Sequence, residues 1–466
     1  MRHPFRRAPP SSHEPGGSVT SEFLFDRGET QSPEEAATPS GGMPRLRTPQ
    51  RDQIEMRWAA LDELLEPDHQ ARIVWAAVGR LDLSRWLAGI KAVEGNVGRN
   101  ATDPRLLVSL CVYATLDGVV HARELARLCT KHLAYQWLCG GVSVNYHLLS
   151  NFRTQNAAAW NELLTQIVGS LLAEGLVTMN RVSQDGMRVR ASAGKDSFRR
   201  KKTLQDHLRD AREQVEALQQ LADQPPDEAN RRQRAARERA ARERAQRIDE
   251  ALKHCDELQQ QREASAEKSG RKVKEARAST TDPEARVIQH SDGGFRPSYN
   301  VQFATDTGTG IICGVEVTNT GSDQEQLPPM LDQLQERYDQ TPKEALVDGG
   351  FASLEAIEAA AQCGCTVYAP LKNEVKQLAE GKDPYAPKKG DSPVVAAWRE
   401  RMGTAMAKAI YRLRAQTAEW VNAVCRNWGL QQMPVRGQPK CRLVALLYAI
   451  THDLLLGEKL RAEANM

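Results

Sequence analysis

No hydrophobic run in this sequence is long enough to cross a membrane: the longest, "LLVSLCVYATL" at 106–116, is too short to span a bilayer. The N-terminus is polar and lacks the apolar core of a secretion signal, so a cytoplasmic protein with no membrane role is expected. Paired cysteines are lacking too. The nine cysteines are scattered, no pair has zinc-ribbon spacing, and Cys363-Gly-Cys365 has no second half. They read as reduced thiols, mostly core filler. The ten histidines are equally dispersed, which argues against a zinc site. Charge of one sign is also missing: the net charge is +3, so any nucleic-acid role must rest on local basic patches. What is present is 466 residues, 40% hydrophobic and 26% charged, enough for two or three globular domains.

Residues 1–50 are rich in Pro, Ser, Gly, Glu and Arg and are expected to be a disordered tail, with Met43 a more natural start. From about 55 to 178, within a domain expected over 51–178, the periodicity is helical. "HQARIVWAAVGRL" puts Ile73, Val74, Ala77 and Leu81 on one face. Residues 122–155 read as helix, short helix, Gly-Gly turn and helix. That suits a helix-turn-helix unit with Asn145, Asn151, Arg153 and Gln155 toward DNA, and equally an ordinary corner of a helical bundle.

Residues 198–286 change character. Apolar positions at 204, 208, 211, 215, 218 and 221 have the three-four spacing of a coiled-coil seam. Pro225-Pro226 breaks it, and a return arm repeats the spacing at Ala241, Ala245, Ile248, Leu252 and Cys255. An antiparallel helical hairpin is predicted. Its second arm holds eight arginines between 231 and 247, against two glutamates. They form either a solvated helix face or a set of contacts to backbone phosphates, with Arg234, Arg237, Arg242 and Arg244 as candidates.

Strand signals flank this insert. "RVSQDGMRVRAS" (181–192) is a β-type run with an acid, Asp185, where a buried strand would prefer Val or Ile. "YNVQFATD" and "GIICGVEVTN" alternate and are joined by "TGT", which predicts a hairpin. A helix at about 323–338 follows, with "GSDQEQ" and its Asp323 and Glu325 read as cap and first-turn acids. "EALVDGGFAS" is then a strand, the fourth, stopping on Asp348. Further on come a helix, the strand "TVYAP", a polar loop over 372–392 and a last long helix reaching about 428. On that helix Ile410, Leu413, Thr417, Val421, Val424 and Trp428 form the apolar stripe. Glu419 shares another stripe with Arg412 and Arg426, where a surface ion-pair ladder would be the plain explanation. The order describes an α/β domain interrupted once by a helical insert.

Taken together, "SQDGMRVRASA", "LVDGGFAS" and "YRLRAQTAE" resemble the active-site blocks of bacterial insertion-sequence transposases of the DDE class. "DPRLLVSLCVYATLDGVVHARELARLC", "WLCGGVSVNYHLLSNFR" and "DGGFRPSYNVQFATD" resemble other blocks of the branch with a long helical insert after the first strand. The resemblance runs from about 44 to 456. It implies a ribonuclease-H-like catalytic domain, a mixed sheet flanked by helices, over 179–197 and 287–456. A coiled-coil hairpin (198–286) interrupts it and an all-α DNA-binding domain (51–178) precedes it. It carries the catalytic and metal-binding roles to Asp185, Asp348 and Glu419, and the tyrosine-arginine signature to Tyr411, Arg412 and Arg414. Arg426 falls where the family usually has a basic residue. The segment Trp420 to Trp428 departs from the common aromatic-glycine continuation.

That chemistry wants three acids. Phosphodiester cleavage and joining by in-line displacement use a pair of divalent ions, Mg²⁺ with Mn²⁺ as a substitute, held by carboxylate oxygens. Asp185 on a strand would give such a pair rigid placement, and Arg188 and Arg190 would steer the DNA backbone. The implied partners are double-stranded DNA, both transposon ends and target, and a second copy of the chain on DNA, giving a nucleoid-associated homodimer. The rival functions are a DNA-binding regulator that has lost catalysis and a nuclease that cuts without strand transfer.

Overall fold

The computed structural model describes residues 59–93, 100–222, 228–270 and 272–466. The expected tail, Met43 and Pro225-Pro226 lie outside these residues.

Seven helices come first: α1 (Gln70–Val78), α2 (Ser84–Leu87), α3 (Pro104–Leu116), α4 (Ala122–Lys131), α5 (Leu133–Cys139), α6 (Tyr146–Gln155) and α7 (Ala157–Ala173). Local chemistry starts and stops them. Asp103 accepts from the Arg105 N–H at 2.8 Å with proline opening α3, and Gly140, at φ 54°, ends α5 in the left-handed region. The apolar run 106–116 is α3 itself, buried nearly all round among α1, α5, α6 and the C-terminal helix. In α1 the buried face is Ala71, Val74, Ala77 and Val78. Ile73, expected inside, is 37% exposed, and the buried face takes in Ala71 and Val78 beside the expected Val74 and Ala77.

A six-stranded mixed sheet follows. Its strands are β1 (Arg181–Arg190), β4 (Arg286–Gln289), β5 (Phe295–Asp306), β6 (Ile312–Thr318), β7 (Glu344–Leu346) and β8 (Thr366–Tyr368). The order is β4-β5-β1-β7-β8, with β6 also on β5. β1 is antiparallel to β5 and parallel to β7, so it lies inside the sheet with a partner along each edge. A separate two-stranded pair, β2 (Phe198–Arg199) with β3 (Ala278–Ser279), closes the base of an inserted pair of helices.

Those helices are α8 (Lys201–Ala222) and α9 (Glu228–Ser269). They run antiparallel, as the cross-pairs Lys201–Asp256 and Arg212–Asp249 require. Leu204, Leu208 and Ala211 pack there with Ile248, Ala251 and Cys255 in a small hydrophobic core of their own.

The remaining helices are α10 (Leu327–Tyr338), α11 (Leu354–Gln362), α12 (Glu374–Ala379), α13 (Pro393–Met402), α14 (Ala405–Arg414), α15 (Trp420–Asn427) and α16 (Gln438–Ala464). Two expectations are corrected here. The single helix expected to reach 428 is broken at Gly403, where Thr404 caps α14, and again by a π turn, Ala415–Glu419. It is also not the last. α16 follows, packed on α3, α7 and β6, and it ties the first helices and the sheet into one hydrophobic core. Among the described residues no helix is long and apolar enough to cross a membrane.

Candidate active site

β1 and β7 align Ser183 with Leu346 in parallel register. Two residues beyond that last paired position stand Asp185, still on β1, and Asp348, in the turn after β7, near enough for the charge of Asp348 to act on Asp185. Asp348 lies just past the end of β7 rather than on it. Its Oδ1 accepts from the Gly350 N–H at 2.7 Å, so the Asp-Gly-Gly turn holds the carboxylate by its own backbone.

The third acid arrives through the π turn. In a π turn the backbone bonds run to the fifth residue, so residues five apart come onto one side. Arg414 and Glu419 are five apart. Arg414 Nη1 reaches Glu419 Oε1 at 3.2 Å and Nη2 reaches Asp185 Oδ1 at 2.8 Å. The stripe expected to join Glu419 with Arg412 and Arg426 assumed an unbroken α-helix. The extra residue in the turn replaces it with the Arg414 pair, leaving Arg412 and Arg426 exposed. Thr417 ties the turn down by donating to the Leu413 carbonyl at 2.9 Å.

The second oxygen of Asp185 is held as well. Asn422, on the first turn of α15, donates from Nδ2 to Asp185 Oδ2 at 2.9 Å. Burial pushes the Asp185 carboxyl above its ordinary range; Arg414 opposes this, and the charges of Asp348 and Asp323 add to it. Arg414, itself buried, is held above its ordinary value because the neighbouring Asp185, Tyr411, Asp348 and Glu419 outweigh the desolvation that would lower it. Tyr411 is driven up by burial, with Asp348, Asp185 and Glu419 contributing against Arg414. All three acids therefore act electrostatically on the same two side chains.

The other face of β1 carries a polar cluster that the sequence pattern does not announce. Asp323, expected to be a helix cap, is buried and caps nothing, since α10 starts only at Leu327 with Gln326 at its N-cap. Its Oδ1 accepts from Asn300 (2.6 Å) and Gln302 (2.7 Å), and its Oδ2 from Arg188 (3.0 Å). Gly186 makes this possible: a Cβ there would collide with Asp323 Oδ1 and stand 2.5 Å from Gln302 Nε2. A buried acid against Asn, Gln and Arg gives no periodic signal. The glycine directly after Asp185 is the one visible hint.

The expected DNA-facing residues fall into two groups. Arg190, Arg412, Arg426, Asn151, Arg237, Arg242 and Arg244 are exposed, although Arg242 pairs with Glu238 on its own helix. Arg188 is engaged by Asp323 and the Gly321 carbonyl, and Arg153 donates to the Val120 carbonyl at 3.0 Å. Asn145 caps α6, accepting from the Leu148 N–H at 2.9 Å. Arg234 is half-buried.

Asp185, Asp348 and Glu419 are hard oxygen donors of the kind Mg²⁺ and Mn²⁺ take. Among the described residues, no three Asp, Glu, His or Cys side chains converge closely enough to hold a metal, and the Arg414 guanidinium bridges Asp185 and Glu419. Comparison with known proteins adds two matches. Residues 259–454 match a family model described as Transposase DDE domain, and residues 59–155 match one described as Transposase domain (DUF772). Asp348 and Glu419 lie inside the first match, and Asp185 lies in neither. No curated protein and no solved structure matches the chain.

Proposed function

This chain belongs to the bacterial insertion-sequence transposases of the DDE class, and we propose that it binds the terminal inverted repeats of an insertion sequence and cuts and joins DNA there in a metal-dependent reaction. The observation that carries this reading is Asp185. It lies outside both matched regions, yet its strand runs parallel to the one that leads into Asp348, and Arg414 links it to Glu419. A central strand bearing the first acid, with the second in the turn just past a parallel neighbour, supports a ribonuclease-H-like catalytic core over 179–197 and 287–456.

Asp185, Asp348 and Glu419 would hold the divalent ions, two Mg²⁺ or Mn²⁺. Bound there, such ions supply the positive charge that activates the attacking oxygen and stabilises the leaving one. The chain's own residues do the rest. Arg414 leaves the carboxylates for a phosphate, an exchange its planar fork suits because both anions accept the same paired N–H groups. Tyr411 feels the charge of the same acids, and Arg190, Arg412 and Arg426 offer exposed cations for the strand backbone. The first helices read the ends, the inserted helices 198–286 form a coiled-coil arm that adds phosphate contacts, and two copies assemble on DNA.

The test uses purified chain, Mg²⁺ and a DNA end carrying the element's repeats. Cleavage followed by joining of the 3′ end to a second duplex is expected. Asp185→Asn, Asp348→Asn and Glu419→Gln should each abolish cleavage while end binding persists. Cutting without joining would instead identify a nuclease, and binding without cutting a regulator.

A further inference from the structure

Asp185 is gripped at both oxygens from one stretch of helix, and the two grips differ in kind. Arg414 brings a full positive charge to Oδ1 and shares it with Glu419. Asn422 brings a neutral amide to Oδ2. A metal ion held by Asp185 and Glu419 would meet the guanidinium that bridges them, and the two positive charges would repel each other there. The amide carries no such conflict.

Asn422 is also an odd residue for its position. It lies on the buried face of α15 between Val421 and Cys425, at 4% exposure, where Leu would bury more apolar surface. Its Oδ1 is buried without a partner among the described residues. Packing therefore does not explain the amide. Its one hydrogen bond, to Asp185, does. With the amide reversed, its oxygen would face the carboxylate, setting two acceptors against each other, so the nitrogen is the atom that faces Asp185.

We infer that Asn422 is a positioning residue which keeps Asp185 oriented for metal when Arg414 withdraws. Asn422 stands three residues after Glu419, so one helical segment presents an acid to the metal and steadies another. The inference rests on the metal-dependent reading above. Arg414 is the exchangeable partner of Asp185, and Asn422 the fixed one.

The experiment measures Mn²⁺ binding to the DNA-free full chain, by the electron paramagnetic resonance signal of unbound Mn²⁺, and needs no turnover. Arg414→Gln should bind Mn²⁺ more tightly than the parent, since the competing cation is gone. Adding Asn422→Leu to Arg414→Gln should weaken binding about 10- to 100-fold, as loss of a residue that orients a metal ligand does. Leucine keeps the branched heavy-atom outline of asparagine and suits the apolar face, so thermal stability should hold while metal affinity falls, a split that a packing role would not produce. Asn422→Ala in the same background should weaken binding alike. Equal Mn²⁺ affinity with and without the Asn422 change would overturn the inference. Failure of every protein to bind Mn²⁺ would overturn the metal-dependent reading itself, and the inference with it.

Discussion

Gly186 and Asp323 occupy each other's space: where a side chain would project from the glycine, the carboxylate of Asp323 already sits, bonded to Asn300, Gln302 and Arg188. Three polar groups depend on that acid, and the acid depends on a bare Cα in β1. Gly186→Ala forces a methyl into a filled polar cluster and should destabilise the fold by about 1–3 kcal/mol, the range for overpacking. Because Gly186 follows Asp185 directly, cleavage should fall further than stability does. Urea unfolding beside a cleavage assay checks this, and a parent-like unfolding midpoint would show that the cluster can shift.

Asp185 carries a stability cost that depends on pH. Its native pKa is raised above the ordinary 3.8, chiefly by burial. An acid of this kind binds its proton more readily in the folded chain, so the stability it lends is full below the unfolded pKa and is lost as pH rises through the higher native value. Asp185→Asn stays neutral throughout. It should therefore melt above the parent at pH 7, and the difference should close as pH falls toward 3.8. Identical midpoints at pH 7 would mean that Arg414 and Asn422 offset the burial in full.

Asn151 and Arg153, both candidates for reading DNA bases, should behave differently. Asn151 is exposed on α6, and Asn151→Ala should cost about 1–3 kcal/mol of preference for the element's ends, the scale of one bidentate base contact. Arg153 is already used on the Val120 carbonyl. Arg153→Ala should lower the melting temperature and leave the ratio of specific to random binding unchanged. Competition binding and thermal melts on both variants separate the roles; a specificity loss confined to Arg153→Ala would reverse the assignment.

The arginines of α9 should contribute affinity without sequence preference. Every phosphate that is no longer neutralised should flatten the log-log salt dependence of binding by about 0.9 on duplex DNA. Changing Arg234, Arg237, Arg242 and Arg244 to Gln should weaken binding evenly across sequences. Arg242 should contribute less than it would without Glu238, which competes for it. A salt slope that does not move would make this arm a solvated face.

Much of the architecture could be read from the chain. Burial leaves a period within each element, so the strand at 181–190, the hairpin over 299–319 and the paired helices 201–222 and 228–269 follow from which positions are apolar. Asp185 stood out because it interrupts such a pattern, whereas Asp348 and Glu419 stood out only through the resemblance of their blocks to a known family. Periodicity misled where an element changes its own geometry: the π turn at 415–419 adds one residue and moves Glu419 from Arg412 to Arg414. It was silent on α16, which is buried on nearly all sides and so shows no single apolar face.

The residue types and their order along the chain were thus determined by the sequence alone, including a carboxylate on a strand, another at a Gly-Gly turn and a third on a helix. Tertiary structure decided who touches whom. Arg414 meets Asp185 across 229 positions and Asn422 meets it across 237, pairings that depend on how the helix lies over the sheet. Asp323 became a buried hub because the loop after β6 folds over the bare backbone of Gly186. Local pattern reports only whether a side chain faces in or out. The partner it meets inside is set by strand register and helix placement, which no single segment contains.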